Sequence, residues 1–274
     1  MADFEVDYAL DGVTLGLSVG WVLVAELAPL RPPEAPVGQG RRGDWLDEPL
    51  DTHLERRAGG GGLGAFARVA GGSDAVAAGA LALPAAYAGG RVAMLGAPAA
   101  RSSVEHAVIA WEGGLVALAL AEAAKVGADA ERPYVVMCGD DAACYEQLGV
   151  GGVVVADGED GLLLHSEARS SFFSGHTAAV GGTTFALAHV VALGGDGRPG
   201  VLRVALPYAS ALALTTTVAV LRVESARHYP TDVLTGGVVG AAVGIAVAEW
   251  HRLPGRVSAT PVSGGAILAW AGAW

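Results

Sequence analysis

Charge is scarce in this chain. Of its 274 residues, 16% are Asp, Glu, Lys or Arg, against about 25% in an ordinary soluble domain. Lysine is all but missing: Lys125 stands alone beside sixteen arginines. There is no basic stripe to neutralise phosphates, and a net charge of −11 opposes a nucleic-acid partner. The start, Met1-Ala2-Asp3-Phe4-Glu5-Val6-Asp7, is acidic where a cleaved secretory signal is basic. No signal peptide is therefore read, and the first apolar run is expected to remain as an anchor. Cysteine is limited to Cys138 and Cys144, too few and too widely spaced for a zinc site. They form a disulfide if their loop faces an oxidising compartment, and otherwise stay two unpaired thiols.

What the chain does have is apolar residues in long blocks. Hydrophobic residues make up 52%, mostly Ala, Val and Leu, with 41 glycines among them. A membrane-crossing helix needs about 20 mostly apolar residues. Runs of that kind occupy residues 13–30, 64–88, 104–124, 176–194, 203–221 and 232–250. The expected fold class is all-α: a multi-pass transmembrane helical bundle of about six spans, forming a single domain over residues 1–274. The run from Thr260 to Trp274 is shorter and glycine-broken, so it is expected at the interface or against the bundle. Residues 31–60 form a loop rich in Pro, Gly and charge, and residues 125–172 a second polar loop with nine acidic and three basic residues. Arginines 91, 101, 198, 203, 252 and 256 fall on the opposite side in a six-span arrangement. Positive charge favours the inside, which puts the long acidic loop outside, although the arginines of 31–60 run against this. Gly236, Gly240 and Gly244, four residues apart, mark a face for close helix packing within the bundle. Gly59, Gly61 and Gly64 match a dinucleotide-binding pattern, but no strand precedes them and no nucleotide site is read there.

Three short clusters carry chemistry. Lys125 is followed by Arg132-Pro133; Ser174-Gly175-His176-Thr177 stands alone; Arg222 is followed by His228 and then Asp232. Singly, each has a plain structural explanation, such as a helix-end anchor, a packed histidine or a helix-start carboxylate. Together they fall at span ends that the six-span arrangement brings to one membrane face. A phosphoryl group in transit spreads negative charge over its oxygens, so fixed positive charge and positioning dominate its transfer. Lys125, Arg132 and Arg222 supply the charge. Ser174 and the backbone N–H groups near Gly175 add donors at a helix start. His228 has a carboxylate, Asp232, one helical turn on, able to hold one ring nitrogen and aim the other. His228 is therefore read as nucleophile and His176 as general acid. No cluster of carboxylates suggests a required metal, and no cofactor is expected.

The arrangement resembles the type 2 phosphatidic acid phosphatase superfamily, whose signature is K-x6-R-P, P-S-G-H and S-R-x5-H-x3-D. The first part is complete from Lys125 to Pro133. The second reads Phe173-Ser174-Gly175-His176, with Phe173 in place of Pro. The third has Leu221 in place of Ser before Arg222, and keeps His228 and Asp232. Both departures fall on flanking positions. The resemblance implies a helical bundle related to the haloperoxidases, a phosphohistidine intermediate and metal-independent hydrolysis of a phosphorylated membrane lipid. It also implies a site opening on the outer face of the cell membrane, near the headgroups. Alternatives are a lipid phosphotransferase sharing the first half-reaction, a soluble vanadate haloperoxidase, and a non-catalytic headgroup binder. His53, His106, His165, His189 and His251 match nothing in the signature. Glu112 and Glu122 lie within the third span, where a carboxylate faces the bundle interior and either meets substrate or pairs with another polar group.

Overall fold

Each of the six apolar runs becomes a helix of membrane-crossing length, and the chain is a multi-pass membrane protein. The computed structural model describes residues 4, 6–27, 35–38, 63–158, 161–194, 200–252, 255–262 and 265–272. The long helices are α1 (Tyr8–Leu27), α2 (Leu63–Leu95), α3 (Ala100–Ala128), α6 (Gly175–Leu193), α7 (Val201–Glu224) and α8 (Pro230–Arg252). Two short helices, α4 (Pro133–Cys138) and α5 (Ala142–Gln147), lie between α3 and α6. Most of the 31–60 loop, including His53, Gly59 and Gly61, lies outside the described residues, as does Arg198.

The first helix departs from expectation by starting at Tyr8 instead of residue 13. Asp7 sets that start: its Oδ1 accepts from the Ala9 and Leu10 N–H groups at 3.1 and 3.3 Å, satisfying donors that a helix N-terminus leaves open. The carboxylate of Asp11 is thereby carried inside the bundle instead of outside it. The second helix runs past Pro84 to Leu95, since a membrane helix tolerates proline where neighbours compensate the lost bond. The segment near the C-terminus pairs as a hairpin, with Gly255–Val262 antiparallel to Gly265–Gly272.

Helix α6 sits at the centre, packed by α2, α3, α7 and α8. Its sequence explains the position, since Gly, Ala and Thr give it a slim surface that neighbours approach closely. The Gly236, Gly240 and Gly244 stripe of α8 lies against α6, as the spacing predicts. A Cβ on Gly240 would collide with the Ala178 carbonyl, and one on Gly244 with that of Gly182. Polarity is arranged inside out. Leu17, Leu206, Leu212, Leu234 and Val238 are exposed, while Glu105, Glu112, Glu122, Thr183, Thr215, His189 and His251 are buried. Exposed apolar area on that scale is unusual for a soluble monomer and suits a lipid surround.

Residues 129–158 and 161–174 cap one end of the bundle. With Ala35–Pro36 they form a small sheet, in which Ala35–Pro36 and Val154–Gly158 flank Gly161–Leu164. Tyr134, Val135, Tyr145, Leu148, Leu162 and Leu164 form a core with Phe66 of α2 and with Ala226 and Tyr229 of the α7–α8 link. Fully burying a large apolar side chain contributes about 1.5–3 kcal/mol, so this core fixes the cap to α2 and to that link. A disulfide between Cys138 and Cys144, with Cα atoms 5.5 Å apart, ties α4 to α5.

Candidate active site

Four helix ends meet beneath the cap. Lys125 lies in the last turn of α3 and Arg222 in the last turn of α7. Ser174 is the N-cap of α6, and Asp232 lies in the first turn of α8. The Ser174 N–H donates to the Asp232 carbonyl at 3.2 Å, which locks the two helix starts together. Ser174 Oγ accepts from the Thr177 N–H at 3.4 Å and from Thr177 Oγ1 at 3.0 Å. That is N-capping, and it follows from a hydroxyl placed just before a helix. Gly175 is needed for room: a Cβ there would come within 3.3 Å of Lys125 Nζ and 3.1 Å of Glu122 Oε1.

His228 is enclosed, with 1% of its surface exposed. Its Nδ1 lies 2.8 Å from the Ser171 carbonyl oxygen and 3.7 Å from Asp232 Oδ2. A carbonyl only accepts, so Nδ1 carries the proton and Nε2 keeps its lone pair. Asp232 therefore does not grip the ring directly, as the i, i+4 spacing suggested. Its Oδ2 instead accepts from Ser171 Oγ at 2.5 Å and from the Tyr229 N–H at 3.0 Å. It holds the residue whose carbonyl aims the imidazole, and adds negative charge beside the ring. Burial, reinforced by the charges of Arg132, Arg222, Lys125 and His176, pushes His228 well below the ordinary histidine value of 6.5. The imidazole is thus neutral at physiological pH.

The cations are held in place by defined partners. Lys125 Nζ donates to Glu122 Oε1 at 2.6 Å, with both side chains buried. Arg132 donates from Nε to the Glu167 carbonyl at 3.0 Å and from Nη1 to the Arg227 carbonyl at 3.2 Å. Arg222 Nη1 donates to Asp74 Oδ1 at 2.9 Å, while its Nε is buried without an acceptor among the described residues. His176 Nε2 lies 3.2 Å from the same Asp74 oxygen. A carboxylate on α2 thus bridges the arginine and the second histidine. Both His176 and Asp74 are partly open, with side chains 42% and 58% exposed.

The eight residues singled out in the sequence, Lys125, Arg132, Ser174, Gly175, His176, Arg222, His228 and Asp232, are gathered at this one end of the bundle. Phe173, which replaces the signature proline, is buried against Ala117, Ala121 and Ala178 and anchors the loop before α6. Glu122 finds its polar partner in Lys125. Two contributors escaped the sequence reading. Asp74 had a signal, since it is a lone carboxylate in an apolar run. Ser171 acts through its backbone carbonyl and had none. The other described histidines lie elsewhere: His106 with Tyr87 and Arg91, His189 with Tyr208 and Glu249, His251 with Glu112, and His165 capping a short turn.

This constellation offers a neutral imidazole, a second histidine and three cations around one small volume. The family model of the PAP2 superfamily matches residues 108–256, just over half of the chain, and takes in all eight residues. No curated protein and no solved structure matches the chain.

Proposed function

Because the chain belongs to the PAP2 superfamily, we propose that it hydrolyses a phosphate or diphosphate ester of a membrane lipid through a phosphohistidine intermediate. Membership supports phosphoric ester hydrolysis in general, since most of the family are phosphatases. The observation that carries the finer reading is His228: neutral, Nδ1-protonated, and under the influence of Lys125, Arg132 and Arg222.

On this reading the Nε2 lone pair attacks phosphorus. The P–N bond forms as the P–O bond to the lipid breaks, and His176 passes its proton to the departing oxygen. Water then attacks the phosphoimidazole, returns a proton to His176 and releases inorganic phosphate from His228. The three cations and the Ser174–Gly175 helix start hold the equatorial oxygens. Arg222 Nε, a buried donor without an acceptor among the described residues, is the kind of group a bound phosphate satisfies. Asp74 is assigned a positioning role, holding His176 and Arg222 in register. The substrate class is phosphatidic acid, phosphatidylglycerol phosphate or a polyprenyl diphosphate, all of which present the same phosphate end. We place the site on the outer face of the cell membrane. The Cys138–Cys144 disulfide supports this, because it belongs to the cap over the site and disulfides persist in oxidising compartments.

The test is phosphate release by detergent-purified protein in EDTA, wild type beside His228→Ala, over a panel of lipid phosphates and diphosphates. Release that survives EDTA and vanishes in the variant supports the mechanism, and the panel ranks substrates. Folded wild type that releases nothing, yet passes phosphate to an added alcohol, would make the protein a phosphotransferase.

A further inference from the structure

Far from the active site, ionisable side chains from three helices are enclosed together: Asp11 of α1, Glu112 of α3 and His251 of α8. His251 is nineteen residues beyond Asp232 on α8, about 28 Å along the helix axis. We propose that these three residues form a site for a divalent first-row transition ion, with Zn2+ the leading candidate, that pins α1 to the bundle.

Geometry is the first support. One donor atom from each residue lies within 4.8 Å of the others. His251 Nε2 is 2.7 Å from Glu112 Oε2 and 3.8 Å from Asp11 Oδ1. Ligands at about 2.0–2.1 Å from a tetrahedral Zn2+ stand roughly 3.3 Å apart, so each of the two His251 distances needs to change by only about half an ångström. The second support is independent of that spacing. Asp11 is 3% exposed, and its Oδ2 is buried with no hydrogen-bond partner among the described residues. A carboxylate oxygen left bare inside a membrane bundle is costly, and coordination would satisfy it.

Charge and donor type narrow the ligand. The donor set is one imidazole, His251, with two carboxylates, Asp11 and Glu112. A dication balances the two carboxylates beside a neutral imidazole. Imidazole nitrogen with two carboxylate oxygens suits Zn2+ or Mn2+ better than Ca2+ or Mg2+, which prefer oxygen alone, or Cu+, which prefers sulfur. Placement gives the site a purpose. Helix α1 rests chiefly on α3 and leaves Leu17, Leu23 and Val24 facing outward. An ion held by α1, α3 and α8 ties this peripheral helix to two others at once. The phosphoryl chemistry does not pass through it.

The experiment titrates Co2+ into full-length protein in metal-free detergent buffer, follows the visible absorption of the ion, and measures thermal unfolding alongside. Expected are one Co2+ per chain with the intense bands of a low-coordinate site, displacement by Zn2+, and an unfolding temperature several degrees higher with either ion. Asp11→Asn, nearly the same shape, abolishes both the bands and the shift. Glu249→Gln, which alters the separate His189–Glu249 pair, leaves them intact. Folded wild type without bands or shift would overturn the proposal and make the cluster a hydrogen-bonded triad only. Bands that persist in Asp11→Asn would overturn it equally.

Discussion

Replacing Asp232 with Asn removes one charge and changes almost no volume. Its Oδ2 lies 3.7 Å from His228 Nδ1, and both side chains are buried. On the proposed mechanism the ring is neutral in the resting enzyme and gains positive charge as Nε2 takes the phosphoryl group. Unit charges about 4 Å apart attract by about 4 kcal/mol at an effective dielectric near 20. With half to most of that charge developed at the transition state, the loss is roughly 2–4 kcal/mol. At 1.36 kcal/mol per tenfold, kcat falls about 30- to 1,000-fold. KM changes little, because the lost attraction is absent before reaction. Ser171→Ala is the companion: it deletes one hydrogen bond to Asp232 and leaves the backbone carbonyl that aims Nδ1. Its kcat stays within tenfold of wild type. The assay is phosphate release at saturating lipid in detergent, with circular dichroism confirming the fold. Asp232→Asn turning over within threefold of wild type would refute the reasoning and reduce Asp232 to an organiser of the start of α8.

Other expectations follow from the same geometry. His228 is held neutral well below 6.5, so between its folded value and about pH 6.5 the unfolded chain binds a proton that the native chain refuses. Stability should therefore fall as pH drops through that window, by up to about 1.4 kcal/mol per unit. Thermal unfolding of His228→Gln, measured from pH 7 to pH 5, should show a shallower decline. Gly175→Ala forces Lys125 Nζ and Glu122 Oε1 to yield a few tenths of an ångström. It should fold normally and lose about tenfold in kcat/KM, since a misplacement of 1 Å costs about a hundredfold; unchanged kinetics would remove Gly175 from the site. Asp74→Asn frees Arg222 for the phosphate while releasing His176. It should lower KM and kcat together, most clearly for lipids with poor leaving groups, and steady-state kinetics on two leaving groups decides.

Much of this was legible before any coordinates. Six spans can be counted because lipid imposes a length, and the eight residues that the spacing singled out are brought together at one end of the bundle because they stand at helix ends. The remainder depends on contacts that sequence spacing does not encode. Asp74 is 102 positions from His176, and nothing local announces that α2 delivers it there. The partner of His228 Nδ1 is a main-chain carbonyl, which leaves no mark in residue identity, so the i, i+4 carboxylate was the natural reading. Apolar counting set the start of α1 too late because Asp11 reads as solvent-facing until Glu112 and His251 are seen around it. The cysteine pairing depended on the cap fold: α4 and α5 turn back on each other and bring the two thiols together.

The electrostatics of the resting site bear on how a substrate would be admitted. Lys125 is paired with Glu122 and Arg222 with Asp74, Arg132 donates to main-chain carbonyls, and Asp232 lies beside the neutral His228. A phosphate dianion arriving here does not meet bare positive charge; it must compete with carboxylates already in place. Those carboxylates differ in their freedom to yield. Glu122 and Asp232 are buried and held by short hydrogen bonds, so moving either would strand a charge in a low dielectric. Asp74 is more than half exposed, and water can solvate it wherever it swings. It also bridges the two groups a phosphate most needs, Arg222 and His176. The economical route is for the lipid phosphate to displace Asp74 from Arg222 while Glu122 keeps Lys125 fixed. Binding would then open a fork on Arg222 to a second acceptor, with the buried Nε and the freed Nη1 meeting two phosphoryl oxygens together.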